Sequence, residues 1–426
     1  MNQIRKVVVF SVSFVFLFLW FSTRVMANEN AVIWPRFRGP NGLGVCDLYE
    51  FPAQIEPGNL AWQIELDGVG HASPVVAHGR VFIASANPET GEQILAAYAT
   101  KDGHLLWRHR LPGKTFPKHA FNSFASSTPT LDEKRLYYAW ATPESLQLVA
   151  MQQENGEIVW TKDLGPFVSQ HGFGASPIVY KDTVILPNEQ DGESFIVALE
   201  CATGNIRWKT PRRSEKAAYS TPTIFQKAGI KDQLILTSWA HGIASLDPET
   251  GTPLWELPIF HNRTVGSPLV VGDLIVASSG EGGIGREMFV VRAGIPETGR
   301  KPELHYEIRG SLPYVTTSVA YKGLLYLLFD KGILICQRLN DGQSLWKERI
   351  AGEYFSSPLV LGGKLYCLSR SGMLVVVATG EKYRMLGQYD FGEATHATPA
   401  VADGLLLVRT QSHLFAVKSI KSPPSK

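Results

Sequence analysis

Two histidines, His71 and His396, hold the same slot in a short recurring motif. Each stands three residues before a proline, in His71-Ala72-Ser73-Pro74 and His396-Ala397-Thr398-Pro399. As neutral imidazoles they could share a metal ion, and once protonated they could hold an anion. No third ligand is evident, so the plainer alternative is a pair of polar loop residues bonded to backbone. Counting back in the same way from the other motif positions gives Ser126, Gly174, Tyr219, Val265, Thr316 and Phe355. Asn122, His171, Arg263, Tyr314 and Tyr354 stand slightly further from the motif. With His71, Tyr219 and His396 they form the candidate ligand or partner contacts. Such a mixed aromatic and polar rim suits a small molecule or a peptide, and it also occurs on proteins that bind neither.

Other chemistry-bearing signatures are few. Gly280-Glu281-Gly282-Gly283-Ile284-Gly285-Arg286 is rich in glycine. A glycine loop cradles phosphate when it leads into a helix. Here it lies between two strand-like runs, so a flexible inter-strand loop is expected, with Glu281 and Arg286 free to meet a partner. Cys46, Cys201, Cys336 and Cys367 form no C-x-x-C and no C-x-x-C-H, so no metal knuckle or c-type haem site is expected. Spacing alone assigns no disulfide among them. No nucleophile elbow, phosphate-binding Walker loop or zinc-protease motif is present.

The elements that would carry these residues are set by internal repetition. A motif of small or hydroxyl residues before proline recurs as Ala72-Ser73-Pro74, Ser127-Thr128-Pro129, Ala175-Ser176-Pro177, Ser220-Thr221-Pro222, Gly266-Ser267-Pro268, Ser356-Ser357-Pro358 and Ala397-Thr398-Pro399. Thr317-Ser318-Val319 fills the remaining slot, read with Val in place of Pro. A second series, Trp62, Trp107, Trp160, Trp208, Trp255 and Trp346, with Tyr306 as a substitute, lengthens and shortens in step with the first. A period of roughly 40 to 50 residues indicates propeller blades or helical arrays. Short β-branched runs such as Val81-Phe82-Ile83 and Leu234-Ile235-Leu236, bounded by Gly, Asp and Lys, read as strands. No unit contains a 12-residue amphipathic helical stretch.

The turn before each tryptophan is the most specific feature. Gly103, Gly156, Gly204, Gly251 and Gly342 each precede the aromatic marker of their unit by four residues. Glycine there suits a hairpin turn with positive φ. The tryptophan then falls on the outer strand, where its ring can fill the wedge between blades. The last unit, from Thr398-Pro399 to Leu414-Phe415-Ala416-Val417, has three strands, and Leu60-Ala61-Trp62-Gln63-Ile64 is an orphan fourth strand. The expected fold is therefore all-β: an eight-bladed β-propeller of four-stranded antiparallel blades, its last blade closed by the N-terminal strand.

The unit Asp247-Pro248-Glu249-Thr250-Gly251-Thr252-Pro253-Leu254-Trp255 is similar to the repeat of the PQQ-like β-propeller family. That family includes the pyrroloquinoline quinone (PQQ) dehydrogenases and the BamB-type scaffolds of outer-membrane protein assembly. The resemblance covers roughly residues 59–418. Trp34-Pro35-Arg36-Phe37-Arg38-Gly39-Pro40-Asn41-Gly42 also resembles the lead-in of secreted bacterial proteins carrying this domain. For the quinone enzymes the resemblance implies a vicinal disulfide, a calcium held by acidic and amide side chains, and an aspartate base. This chain has no adjacent cysteine pair, and no Glu, Asn and Asp set falls on matching positions. For the scaffolds it implies a lipid-attachment cysteine, which is also missing. A repeat specifies a fold more than a function, since sites are grafted onto folds.

Targeting completes the expectations. Arg5 and Lys6, the apolar run Val7 to Phe21, and Val25-Met26-Ala27 read as a secretory signal over residues 1–27, with an uncleaved anchor as the alternative. Its removal takes away Arg5, Lys6 and Arg24, and so moves the net charge from +2 to −1. A near-neutral chain gives no electrostatic reason to bind nucleic acid. Residues 28–58 then form an N-terminal arm, 59–418 the propeller and 419–426 a flexible tail. The function expected is a periplasmic or secreted, non-catalytic scaffold that contacts an envelope protein or peptide through loops at one channel mouth. A PQQ-dependent alcohol oxidoreductase with calcium and a divergent site is the alternative.

Overall fold

A computed structural model describes residues 33–214 and 216–421. The expected signal segment lies outside the described residues. Eight four-stranded antiparallel sheets follow one another in chain order. Blade 1 comprises Val75–Ala77, Arg80–Ala86, Gln93–Ala99 and Leu105–Leu111. Blades 2 to 7 begin at Thr130–Leu131, Ile178–Tyr180, Thr223–Phe225, Leu269–Val271, Val319–Tyr321 and Leu359–Leu361. Blade 8 contains Ala400–Ala402, Leu405–Arg409 and His413–Lys418, and its fourth strand is the N-terminal Leu60–Glu65. The register Trp62↔Ala416 and Ile64↔Leu414 satisfies an edge that would otherwise be open.

The two sequence markers turn out to be the two rings that join blades. On the outside the aromatic markers reach the following blade, except that the Trp255 indole donates to the Gln233 side chain of its own blade. The indole N–H of Trp62 donates to the Thr100 carbonyl at 2.8 Å, and those of Trp107 and Trp160 donate to Gln153 and Cys201. Tyr306 replaces tryptophan with its hydroxyl donating to the Leu339 carbonyl. The rings of Trp62, Trp107, Trp160, Trp208 and Tyr306 lie against the turn glycine of that next blade. A Cβ on Gly156 would come within 2.6 Å of Trp107, and one on Gly342 within 2.7 Å of Tyr306. These glycines thus answer two demands, a positive φ and a close aromatic approach.

On the inside, the hydroxyl residue of the motif builds a belt. The Ser73 N–H donates to the Thr128 hydroxyl, Thr128 N–H to Ser176, Thr221 N–H to Ser267, and Ser267 N–H to Thr317. Thr317 N–H then donates to Ser357, Ser357 N–H to Thr398, and Thr398 N–H back to Ser73. This ring corrects the register of blade 6. Thr317 occupies the hydroxyl slot, so Ser318, not Val319, stands where the other blades have proline. The hydrophobic clusters lie between consecutive blades, and the largest joins blades 7, 8 and 1 to Trp34, Cys46, Tyr49, Phe51 and Ile55.

Those last residues belong to the N-terminal arm, which lies across the channel. Trp34 bridges Val76 of blade 1, and the Pro35 carbonyl accepts from Leu131 N–H of blade 2. The Arg36 guanidinium donates to the Pro222 carbonyl, and Asn41 bonds Thr223 and Ile224 of blade 4. Arg38 donates to the carbonyls of Thr317, Ser318 and Pro358 in blades 6 and 7. Val45–Cys46 then pairs in parallel with Leu359–Leu361, the inner strand of blade 7. Gly39 has φ +73°, and a Cβ there would stand 2.6 Å from the Trp34 ring. At the other terminus Ser419 donates to Gly404 and Ile420 to Glu50, so the first residues of the expected flexible tail are hydrogen-bonded. No helix among the described residues is long and apolar enough to cross a membrane.

Candidate functional site

With the arm across one end, the channel becomes a cup. Its cavity measures about 610 Å³ and has Phe37 of the arm and the belt residues Ser73, Thr128, Ser176, Thr221, Ser267, Thr317 and Thr398 among its lining. Ligand cavities commonly fall between roughly 300 and 1,000 Å³. The segments entering each inner strand form the wall. In the corrected register the slot three residues before the proline position contributes a lining residue from every blade: His71, Ser126, Gly174, Tyr219, Val265, Val315, Phe355 and His396. Val315 takes the place expected for Thr316, which is buried with its hydroxyl donating to the Leu328 carbonyl.

Seven of the eight candidate contacts line this cavity: His71, Asn122, His171, Tyr219, Arg263, Tyr314 and His396. Tyr354 does not. It is fully buried in the cluster between blades 6 and 7, with its hydroxyl donating to the Ala351 carbonyl. Position relative to the motif placed it at the rim, but its ring turns into the wedge between blades. The glycine-rich segment joins two strands, as expected, but narrows to a two-residue turn. Leu274–Glu281 and Ile284–Arg292 are paired strands, and Gly282 and Gly283, with φ of 62° and 74°, make the tight turn between them. Glu281, Gly282 and Gly283 line the cavity, with Glu281 paired to Lys216 at 3.1 Å.

The segment joining blades 1 and 2 lies over the mouth. It lies within the longest interval between motif prolines, Pro74 to Pro129. Its His119 ring packs edge-on against His171, 5.0 Å between centroids. Its Phe121 reaches the opposite wall and meets Phe355 at 5.5 Å. The Arg370 guanidinium lies 4.1 Å from the Phe121 centroid and 4.6 Å from that of Phe355. Arg370 also donates to Nε2 of His396 at 3.3 Å and pairs with Glu353 at 2.7 Å. None of His119, Phe121, Lys216, Asp330, Glu353 or Arg370 was marked by a motif, because each reaches the cavity from a segment with no repeat signature.

Electrostatics in the cup disfavours protonated imidazole. Burial first, then His396 and Arg409, push His71 down to about 2. Burial and Arg370 push His396 down to about 4. Burial, then Arg263, lowers His171. The ring centroids of His71 and His396 lie 4.1 Å apart with the planes tilted by 35°. Asp330 is pushed up to about 6 by burial, although its carboxylate accepts the N–H groups of Tyr314 and Val315 at 2.7 and 2.9 Å. It thereby holds the entry segment of blade 6 in place.

The donor set does not fit PQQ with calcium. Calcium requires roughly six to eight oxygen ligands, several of them carboxylate. Asp330 is taken up by backbone donors, Glu353 by Lys331 and Arg370, and Glu281 by Lys216. The four cysteines are separate, buried and free. Among the described residues no group of three or more His, Cys, Asp or Glu side chains is placed to hold a metal.

Comparison with known proteins agrees with this architecture. The family described as outer membrane protein assembly factor BamB matches residues 52–123 and 91–348. Tetrathionate hydrolase of Acidithiobacillus ferrooxidans is 24% identical over 241 residues, 53% of this chain and 44% of that protein, so the chain spans under half of that relative's length. Outer membrane protein assembly factor BamB of Shewanella oneidensis is 24% identical over 288 residues, 61% of this chain and 68% of that one. Among solved structures, a europium-containing methanol dehydrogenase superposes with a TM-score of 0.67 at 12% identity, covering 90% of this chain and 89% of the other. A repeat shared by scaffolds and quinoproteins, and a match over more than half of its length, place this sequence: the chain belongs to the PQQ-like β-propeller family described as outer membrane protein assembly factor BamB.

Proposed function

We propose that the chain is an exported, non-catalytic binding propeller that holds an envelope protein or peptide partner at the open mouth of its cup. The carrying observation is the cup itself: the arm closes one end of the channel, and aromatic and basic side chains gather at the other. A channel closed from within offers one entrance and a rigid wall. The eight blades fix that wall, so a partner loses little affinity to ordering of the site. Phe121, 47% exposed, and Phe355 beside Arg370 supply the aromatic and arginine chemistry that dominates binding energy at interfaces. Service in outer-membrane protein assembly, which the family's description names, is the setting this reading favours. The all-committed carboxylates around the cavity speak against the quinone alternative.

The test places a photo-crosslinking residue at Phe355 in the mouth and, separately, at Leu106 on the outer strand of blade 1, in cells of the native host. Adducts formed from position 355 and absent from position 106 are expected. Equal labelling at both would count against a mouth-directed partner. Purified protein is also titrated with PQQ and Ca²⁺ in a dye-linked alcohol oxidation assay. Saturable uptake with turnover would overturn the non-catalytic reading.

A further inference from the structure

Among the described residues Arg263 is the one arginine or lysine of the cavity lining without a carboxylate partner. It lines the cavity, is 9% exposed, and its Nε has no hydrogen-bond partner. The other cations of the lining are paired: Lys216 with Glu281, and Lys331 and Arg370 with Glu353. Among the described residues Arg263 forms no ion pair with a carboxylate. Its guanidinium carbon lies 5.8 Å from the centroid of Tyr219, a contact that orients the group without neutralising it. A buried cation so placed is costly unless something pairs with it.

The surroundings add to that demand. Arg36 and Arg38 lie beneath the floor and Arg409 behind His71. All three are buried and donate to carbonyl or hydroxyl oxygens rather than to carboxylates, and the Nε of Arg36 and of Arg409 is without a partner. Dipoles stabilise such charges without removing them, and in the lining itself Lys216, Arg263, Lys331 and Arg370 stand against Glu281, Asp330 and Glu353, so formal positive charge is in excess. The planar guanidinium fork matches a carboxylate bidentately. A phosphate dianion would call for a second unpaired cation, and each remaining lining cation already faces a glutamate.

We infer that Arg263 anchors the carboxylate of an organic anion whose apolar body packs on the aromatic wall near Phe355. This inference rests on reading the cavity as the binding site. The carboxylate can belong to a free organic acid or to the C-terminus of a peptide, and the chemistry at Arg263 is the same for both.

Calorimetric titration of the purified chain with four probes tests this. They are 3-phenylpropionate and N-acetyl-phenylalanyl-phenylalanine, each as the free acid and as the primary amide. At least one acid is expected to bind ten-fold or more tightly than its amide. In Arg263→Gln that ratio falls to about one, with amide affinity unchanged. Binding of both acids identifies a free acid as sufficient, and binding of the peptide acid alone identifies a peptide C-terminus; either supports the assignment. Equal affinity for acid and amide, an acid preference that survives Arg263→Gln, or no binding of any probe would overturn it. The acid-to-amide ratio of the unmodified chain stands even if Arg263→Gln fails to fold. Crosslinks from position 355 without any acid preference would remove the role of Arg263 and leave the mouth as binding site. Absence of both would remove both.

Discussion

The adjacent imidazoles of His71 and His396 are held neutral by burial and by nearby positive charge, and this makes them sources of acid lability. In the unfolded chain both titrate near their ordinary value of about 6.5. In the folded chain they do so at about 2 and about 4. Between pH 6.5 and 4 the unfolded state therefore binds more protons, and stability falls as pH falls. Each imidazole contributes a slope of up to roughly 1.4 kcal/mol per pH unit in that window. Asp330 acts in the opposite sense, since its folded value of about 6 exceeds the unfolded one and acidification favours its native form. The double substitution His71→Gln, His396→Gln is expected to flatten the dependence of unfolding free energy on pH between 4 and 6.5, measured by urea denaturation at several pH values. An unchanged slope would show that these imidazoles are solvated. As lining residues they were legible in the sequence, because both sit in the motif slot. Their adjacency was legible too, since blades 1 and 8 adjoin once the chain closes, whereas the 4.1 Å separation and 35° tilt of the rings were not.

At the scale of the element, the hydroxyl belt explains a motif that the sequence displayed without a reason. Serine and threonine recur before proline because at seven of the eight slots, all but Thr221, the hydroxyl accepts the N–H of the same slot one blade earlier. Thr398→Val keeps the volume but leaves the Ser357 N–H without its acceptor in a buried ring. It is expected to cost about 1–3 kcal/mol by the usual penalty for an orphaned buried donor. Thr398→Ser should cost much less, and guanidinium unfolding of the two variants measures the difference. Equal losses would mean that methyl packing, not the hydroxyl, governs the position. The belt also shows why blade 6 was read one residue out of register. Val319 resembles the start of a strand, which it is, and only the bond between Ser267 and Thr317 reveals which residue holds the hydroxyl slot.

For the whole molecule, closure and plugging are separate contributions of the same N-terminal stretch. Leu60–Glu65 supplies the missing edge of blade 8, whereas residues 33–46 cross the channel. Removing 33–46 is expected to leave a monomer that has lost the burial of Trp34, a change worth roughly 3–5 kcal/mol for a large aromatic side chain. Removing 33–65 is expected to expose His413–Lys418 as an unpaired edge and to give concentration-dependent association in gel filtration. Identical elution of the two truncations would count against closure by the N-terminal strand. The sequence by itself determined the blade count, the blade order, the closing strand and most of the mouth residues. These follow from local periodicity: turn glycines, outer tryptophans and motif hydroxyls each answer a demand that every blade repeats. Only the tertiary structure decided that the arm seals the channel, that Tyr354 turns inward, that Phe121 meets Arg370 across the mouth, and that Arg263 is left without a counter-ion. Each of these depends on which side chains from distant, non-repeating segments share one enclosed volume, and a period along the chain carries no record of that.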